Sequence, residues 1–191
     1  MKPGVFIGSA SAFLILCALF SATALAQKGQ SPMDPMPINT AIKTEIQCGN
    51  SAGSMEPYEA SIAVLQVLRG NEAWNLLKAA NPSNKQPQAG YEYILARIAF
   101  SMKPRGAPGD KTFDLGRPMQ FVALSADGRE YLAPSVAIPQ PDLARMVHAN
   151  EPAEGWIVFL VEQKESKPVV VFDPSSGGAM GRGRSVFFQL W

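Results

Sequence analysis

The chain has 191 residues, with 17 basic against 16 acidic side chains, one histidine and two cysteines. So small a net charge supplies no field that would draw it to nucleic acid or to an anionic membrane face. The length suits one domain with a core of its own.

The first 26 residues have the form of a secretory signal peptide. Lys2 precedes an uncharged apolar run, Val5–Phe20, and the small-x-small triplet Ala24-Leu25-Ala26 places the cleavage before Gln27. Cleavage removes Lys2, brings the basic and acidic residues level, and leaves a secreted or periplasmic protein with no stable membrane insertion. Two rival readings stand beside it. The run approaches the ~20 residues that span a bilayer, and Cys17 offers a lipidation site, although Leu16 stands where a small residue is wanted. Cys48 is then the one cysteine of the mature chain, so no internal disulfide can form. Residues 27–37, QKGQSPMDPMP, are polar and proline-broken and read as a leader or tether.

Residues 38–191 read as one domain of short strands. Ile38–Ile46 is a first strand. Tyr58, Ala60, Ile62 and Val64 alternate with polar neighbours in a second, Tyr58–Leu68, and Ile94, Ala96, Ile98 and Phe100 form the core face of a third, Tyr91–Phe100. Between these two lies a short helix. Asn71 suits its N-cap, Glu72 and Lys78 suit the two ends of its dipole, and Pro82 stops it. Ala73, Trp74, Leu77 and Ala80 share a face, and about ten residues are marginal alone, so that face must dock, with Trp74 as the expected anchor.

Met119–Ser125 and Arg129–Leu132 form a hairpin through Asp127-Gly128, a dipeptide that tolerates positive φ at both central positions of a tight turn. The segment APSVAIPQPDLARMVHANEPAE is proline-studded and irregular. Gly155–Val161 is a continuous apolar run suited to a central strand, and Val169–Phe172 and Val186–Trp191 complete the set. Strands in this number, with turn signals between them, indicate an all-β, two-sheet antiparallel sandwich with one short helix between the second and third strands.

The stretches GYEYILARIAF, FVALSADGREY, GWIVFLV and SVFFQLW, from about Pro35 onward, resemble the telokin-like, immunoglobulin-like domains of secreted bacterial proteins. VLRGNEAWNLLKAANP is similar to a helical insertion in one branch of them. The resemblance implies an immunoglobulin-like fold and no assigned activity. Where such domains often carry a Pro-Gly-Gly turn, this chain has HANEPAEG.

Chemistry-bearing patterns are sparse. His148, Cys48 and scattered acids have no zinc-ligand spacing, Asp110, Asp114 and Asp127 do not form a calcium loop, and GGAMGRGRS lacks the Lys-Ser/Thr of a phosphate loop. No cofactor is implied. Ser175 or Ser176 with His148 is the one hydrolase arrangement worth weighing, but DPSSGG is not a G-x-S-x-G elbow. The favoured function is an exported, non-catalytic binding or interaction module whose partner is a protein or a small envelope ligand. A secreted serine hydrolase and a purely structural envelope component are the alternatives. Loops on a rigid sandwich are where recognition usually sits. If the strands follow variable-type immunoglobulin order, with Val169–Phe172 and Val186–Trp191 as F and G, the helix and the 174–185 loop share one end. Arg182, Arg184 and Trp74 are then expected on one partner-binding face, with forked guanidinium donors gripping a carboxylate or phosphate.

Overall fold

A computed structural model of the protein describes residues 28–49, 55–106, 111–176 and 181–191. The signal-peptide reading, Cys17, Asp110 and the centre of the 174–185 loop lie outside those residues. The elements, in chain order, are β1 (Ile42–Gly49), β2 (Met55–Arg69), α1 (Gly70–Ala80), β3 (Tyr91–Pro104), β4 (Thr112–Leu115), β5 (Phe121–Leu124), β6 (Glu130–Tyr131), β7 (Arg145–His148), β8 (Ala153–Glu162), β9 (Val169–Phe172), β10 (Gly181–Gly183) and β11 (Val186–Gln189). A five-stranded sheet, β10-β1-β2-β3-β8, faces a four-stranded sheet, β11-β9-β5-β6, and a two-stranded ribbon joins β4 to β7. Every paired strand is antiparallel. The protein is therefore the expected all-β immunoglobulin-like sandwich with one helix between its second and third strands.

The main core lies between the sheets. Tyr58, Ala60, Ile62 and Val64 of β2 and Ile94, Ala96, Ile98 and Phe100 of β3 point into it, as their alternation requires. From the other sheet come Phe121, Ala123, Val170, Phe172, Val186 and Phe188. Phe172 packs on Phe121 with ring centroids 4.9 Å apart and on Phe100 at 6.1 Å, joining the two layers.

A second, smaller cluster sits on the outer face of the larger sheet, and a bulge in β2 creates it. Val64 pairs with Ile98 but Gln66 with Arg97, leaving Leu65 as the extra residue. One inserted residue inverts the facing of everything after it. Unbroken alternation would bury Gln66. Instead Gln66 is exposed, Val67 turns to the main core and Leu68 turns outward. There Leu68 meets Tyr93, Leu95 and Trp156, and the underside of α1 closes over them with Ala73 and Leu77.

Three expectations are corrected here. The run Gly155–Val161 belongs to β8, an edge strand and not a central one. It is apolar throughout because both its faces are covered: Phe159 and Val161 face the main core, while Trp156, Val158 and Leu160 face the outer cluster. Its free edge is met by the backbone of Asp142 and Leu143, with Trp156 N–H donating to Pro141 O at 2.9 Å and Leu143 N–H to Trp156 O at 3.2 Å. Gly155 permits that approach, because a Cβ there would strike Leu143 N. The hairpin tip is not a two-residue turn. Gly128 N–H donates to Ser125 O at 2.9 Å, and Gly128 alone in the tip has positive φ, +83°, so a type I turn with a glycine bulge links β5 to β6. The polar segment before β1 is no tether over residues 28–37. Met36 is buried, Met36 N–H donates to Phe187 O at 2.8 Å and Phe187 N–H to Gly29 O at 2.8 Å, so this segment lies along β11 and covers that edge.

Candidate functional site

The register of the larger sheet fixes where the expected binding residues lie. Arg182 pairs with Gln47 and Gln47 with Pro57, at the start of β2, whereas α1 follows Arg69 at its end. The intervening strand separates the two by on the order of 35 Å. The expectation that Trp74, Arg182 and Arg184 share one face is therefore overturned. The cause is one strand of parity. Val169–Phe172 does not hold the F position: β8 pairs with β3, and the connection beside the helix is the β8–β9 turn. That turn is tied down by Arg69, whose guanidinium donates to Glu165 O at 2.8 Å and Ser166 O at 3.3 Å.

At the far end, glycines set the position of the arginines. The backbone of β10 is crowded at both its glycines: a Cβ on Gly183 would lie 2.6 Å from Glu45 O, while one on Gly181 would lie 2.6 Å from Pro174 O. Only glycine allows β10 so close to β1, and the alternation then turns Arg182 outward, where it is exposed together with Arg184. Opposite Ile46 the short strand ends at Gly183 and the chain crosses to the other sheet. This leaves a groove of about 620 Å³ lined by Gln30, Lys43, Glu45, Gln47, Arg182 and Arg184, among others.

The electrostatics of this groove are uneven. Lys43 is held by Glu59 at 2.8 Å, and Glu45 by Arg105. Elsewhere among the described residues, Arg69 pairs with Glu92, Arg97 with Glu154, Arg117 with Asp114 and Arg129 with Glu162, and Arg145 donates to the carbonyls of Asp142 and Glu154. Arg182 and Arg184 are the arginines that have no such partner among the described residues. Their donors face solvent beside the groove, a state in which a bidentate oxyanion is the natural complement.

Trp74 is only half-buried, so it is not the anchor of α1; Ala73 and Leu77 are. Its indole stacks on Tyr93, with ring centroids 6.2 Å apart. Nor does Asn71 cap the helix. The N-cap is Arg69, without a side-chain bond, and the chain enters through Gly70 at φ +55°, a conformation that glycine accepts freely. The working polar residue at the other end is Asn84. Its amide donates to Leu77 O and Ala137 O, both at 2.8 Å, and its carbonyl accepts from Ala137 N–H at 2.9 Å, tying the helix to the segment whose Val136 and Ile138 pack on the outer cluster.

Ser175 Oγ–H donates to Asp173 Oδ1 at 2.7 Å and Ser176 Oγ–H to Asp173 Oδ2 at 2.9 Å, the bonding of a turn. Burial pushes the Asp173 carboxyl up, but the bonds from Ser175 and Ser176 together hold it below its ordinary value. His148 is exposed at the end of β7, opposite Thr112. Cys48 is fully buried with its sulfur 4.0 Å from Met102 Sδ, and burial, with the nearby Glu56 charge, pushes its thiol up to about 12. It is neither a thiolate nucleophile nor an exposed pairing partner. Among the described residues no group of three or more His, Cys, Asp or Glu side chains is arranged to hold a metal ion, and no helix is long and apolar enough to cross a membrane.

Neither protein-family models nor curated proteins give a match to the chain. Solved structures do resemble it. The ycdA protein of Bacillus subtilis matches with a TM-score of 0.46 and 16% identity over 68% of this chain and 35% of its own, so the chain spans about a third of that protein. The yjhA protein of Bacillus subtilis matches at 0.42 and 10% identity, over 73% of this chain and 81% of its own. MPT63, a secreted protein from Mycobacterium tuberculosis, matches at 0.43 and 13% identity, over 81% of this chain and 97% of its own.

Proposed function

We propose that the protein is an extracytoplasmic, non-catalytic binding module of the telokin-like, immunoglobulin-like type, and that it holds a carboxylate- or phosphate-bearing ligand in the groove beside β1 and β10. The observation that carries this reading is the state of Arg182 and Arg184. They stand exposed at a groove, Arg182 on a short edge strand and Arg184 just after it, and among the described residues they lack the carboxylate or carbonyl partner that every other arginine has. A guanidinium without a partner retains its full capacity for a forked, charge-assisted pair with a planar oxyanion. Gln47 beside it supplies neutral donors and acceptors that orient such a ligand, while Lys43 and Glu45 in the same lining are each already paired, with Glu59 and Arg105. The signal-peptide form of residues 1–26 supports the location outside the cytoplasm.

The test is capture of envelope components by the exported protein, compared with the Arg182→Ala, Arg184→Ala double variant. Loss of a carboxylate- or phosphate-bearing species in the variant supports the reading, and undiminished capture overturns it. A fluorophosphonate probe checks the non-catalytic part separately: covalent labelling of Ser175 or Ser176 would replace a binding module by a serine hydrolase.

A further inference from the structure

The helix end carries a separate cavity of different chemistry. It measures about 220 Å³ and is lined by Asn71, Trp74, Gln86, Gln88, Tyr91 and Gln163, with Glu92 at its wall. The charged groups there are already neutralised. Glu92 Oε1 accepts from Arg69 Nη2–H at 2.6 Å and from Arg69 Nε–H at 3.2 Å, and the rest of that guanidinium is spent on Glu165 O and Ser166 O. No cation is left to call for an anion. What remains is the half-buried indole of Trp74, backed on one side by Tyr93, and a ring of amide side chains.

Each amide brings two donors and an acceptor carbonyl, and the indole and phenol bring one donor each beside an apolar ring. Neutral donors and acceptors of both kinds, set around an aromatic plate, complement a ligand with hydroxyls on its rim and C–H groups on its face. The volume decides the size. It lies below the roughly 300–1,000 Å³ of sites for drug-sized ligands, a size that suits a single ring. We propose that this cavity is a binding site for one neutral pyranose unit of a glycan, with Trp74 as the stacking platform and Gln86, Gln88 and Gln163 bonding the hydroxyls. It is independent of the arginine groove at the opposite end.

The site is rigid where it needs to be. Tyr91 N–H donates to Gln88 O at 3.0 Å and Gln163 N–H to Gly90 O at 2.9 Å, so the backbones that carry two of the amides are fixed to β3. Tyr93 Oη–H donates to Lys85 O at 3.0 Å, fixing the segment below the indole.

The experiment is a heteronuclear NMR titration of the protein with methyl glycosides of glucose, galactose, mannose and N-acetylglucosamine, each carried into the millimolar range. The expected result is a saturable shift of the Trp74 indole N–H and of the Gln88 and Gln163 amide signals with at least one of them. The Gln88→Ala, Gln163→Ala variant alters exposed side chains only, keeps the fold spectrum, and should weaken that binding about tenfold, the loss of one to two hydrogen bonds. The Arg182→Ala, Arg184→Ala variant should bind the same glycoside unchanged, which separates this site from the groove. No saturable shift with any of the four, or shifts that survive unweakened in the glutamine variant, would overturn the proposal.

Discussion

The two ends of the five-stranded sheet differ in how they treat charge. At the helix end, Arg69 is consumed by Glu92 and by the backbone of the β8–β9 turn, and the surface left over is aromatic and amide. At the β10 end, two glycines let a three-residue strand lie close against its neighbours, and the residues between and after them, Arg182 and Arg184, have no ion-pair or hydrogen-bond partner among the described residues. One end uses its arginine to lock a loop, and the other presents arginines to solvent. A paired guanidinium contributes to rigidity, whereas a solvated one keeps its forked donors for a ligand, which is the role proposed for Arg182 and Arg184.

Substitutions can sharpen or break that contrast. The largest effect is expected at the helix end, from Leu77→Ala. Its side chain is fully buried in the outer cluster, so truncation should cost about 2 to 5 kcal/mol in denaturant unfolding. Trp74→Ala should cost less, because the indole is only half-buried; a larger loss than for Leu77 would return Trp74 to the role of anchor. At the other end, Gly183→Ala forces a Cβ toward Glu45 O and should cost about 1 to 3 kcal/mol, while also moving Arg182 away from the groove. A variant as stable as the parent would mean that β10 is not held as closely as its register requires.

Cys48 gives a pH signature at the same end of the sheet. The folded state raises its thiol from about 9 to about 12, so ionisation favours the unfolded chain once pH exceeds the unfolded value. Stability from this group is therefore intact below about pH 8.5 and should fall by about 1.4 kcal/mol per pH unit as pH rises towards the folded value. Cys48→Ala should remove that slope, as measured by urea unfolding across the alkaline range, and thiol reagents should modify Cys48 in the native protein only slowly. The smallest stability effect belongs to Arg182→Ala with Arg184→Ala, within about 0.5 kcal/mol of the parent, because exposed side chains without partners stabilise little.

Much of the fold was legible in the sequence, and the candidate site much less so. Alternation located β2 and β3, and the break from period two to a helical run stopped by Pro82 located α1, because each pattern spans enough residues to fix its period. The bulge at Leu65 left no mark, since neither glycine nor proline signals it, yet it decides that Gln66 faces water and Leu68 faces the helix. β10 was equally hidden. Gly-Arg-Gly has no apolar residue to announce a strand, and its existence depends on backbone proximity to β1, a tertiary fact. β4 lay unrecognised because four residues are too few to fix a period, although Phe113 and Leu115 alternate into the main core. The misplacement of Trp74 beside the arginines followed from treating Val169–Phe172 as the neighbour of β3, when the glycine-led run ending at Glu162 holds that position. Residue types at the site were thus readable, but which of them meet was set by strand parity.

Whether Arg182 and Arg184 form the proposed oxyanion site is decided by a heteronuclear NMR titration with citrate and with inorganic pyrophosphate. The predicted result is a saturable shift of the Arg182, Gly183 and Arg184 amides and of Thr44 to Gln47 across the groove, with the Trp74 indole unmoved and every shift abolished by Arg182→Ala with Arg184→Ala. Shifts that do not saturate, or that persist in the double variant, would contradict it.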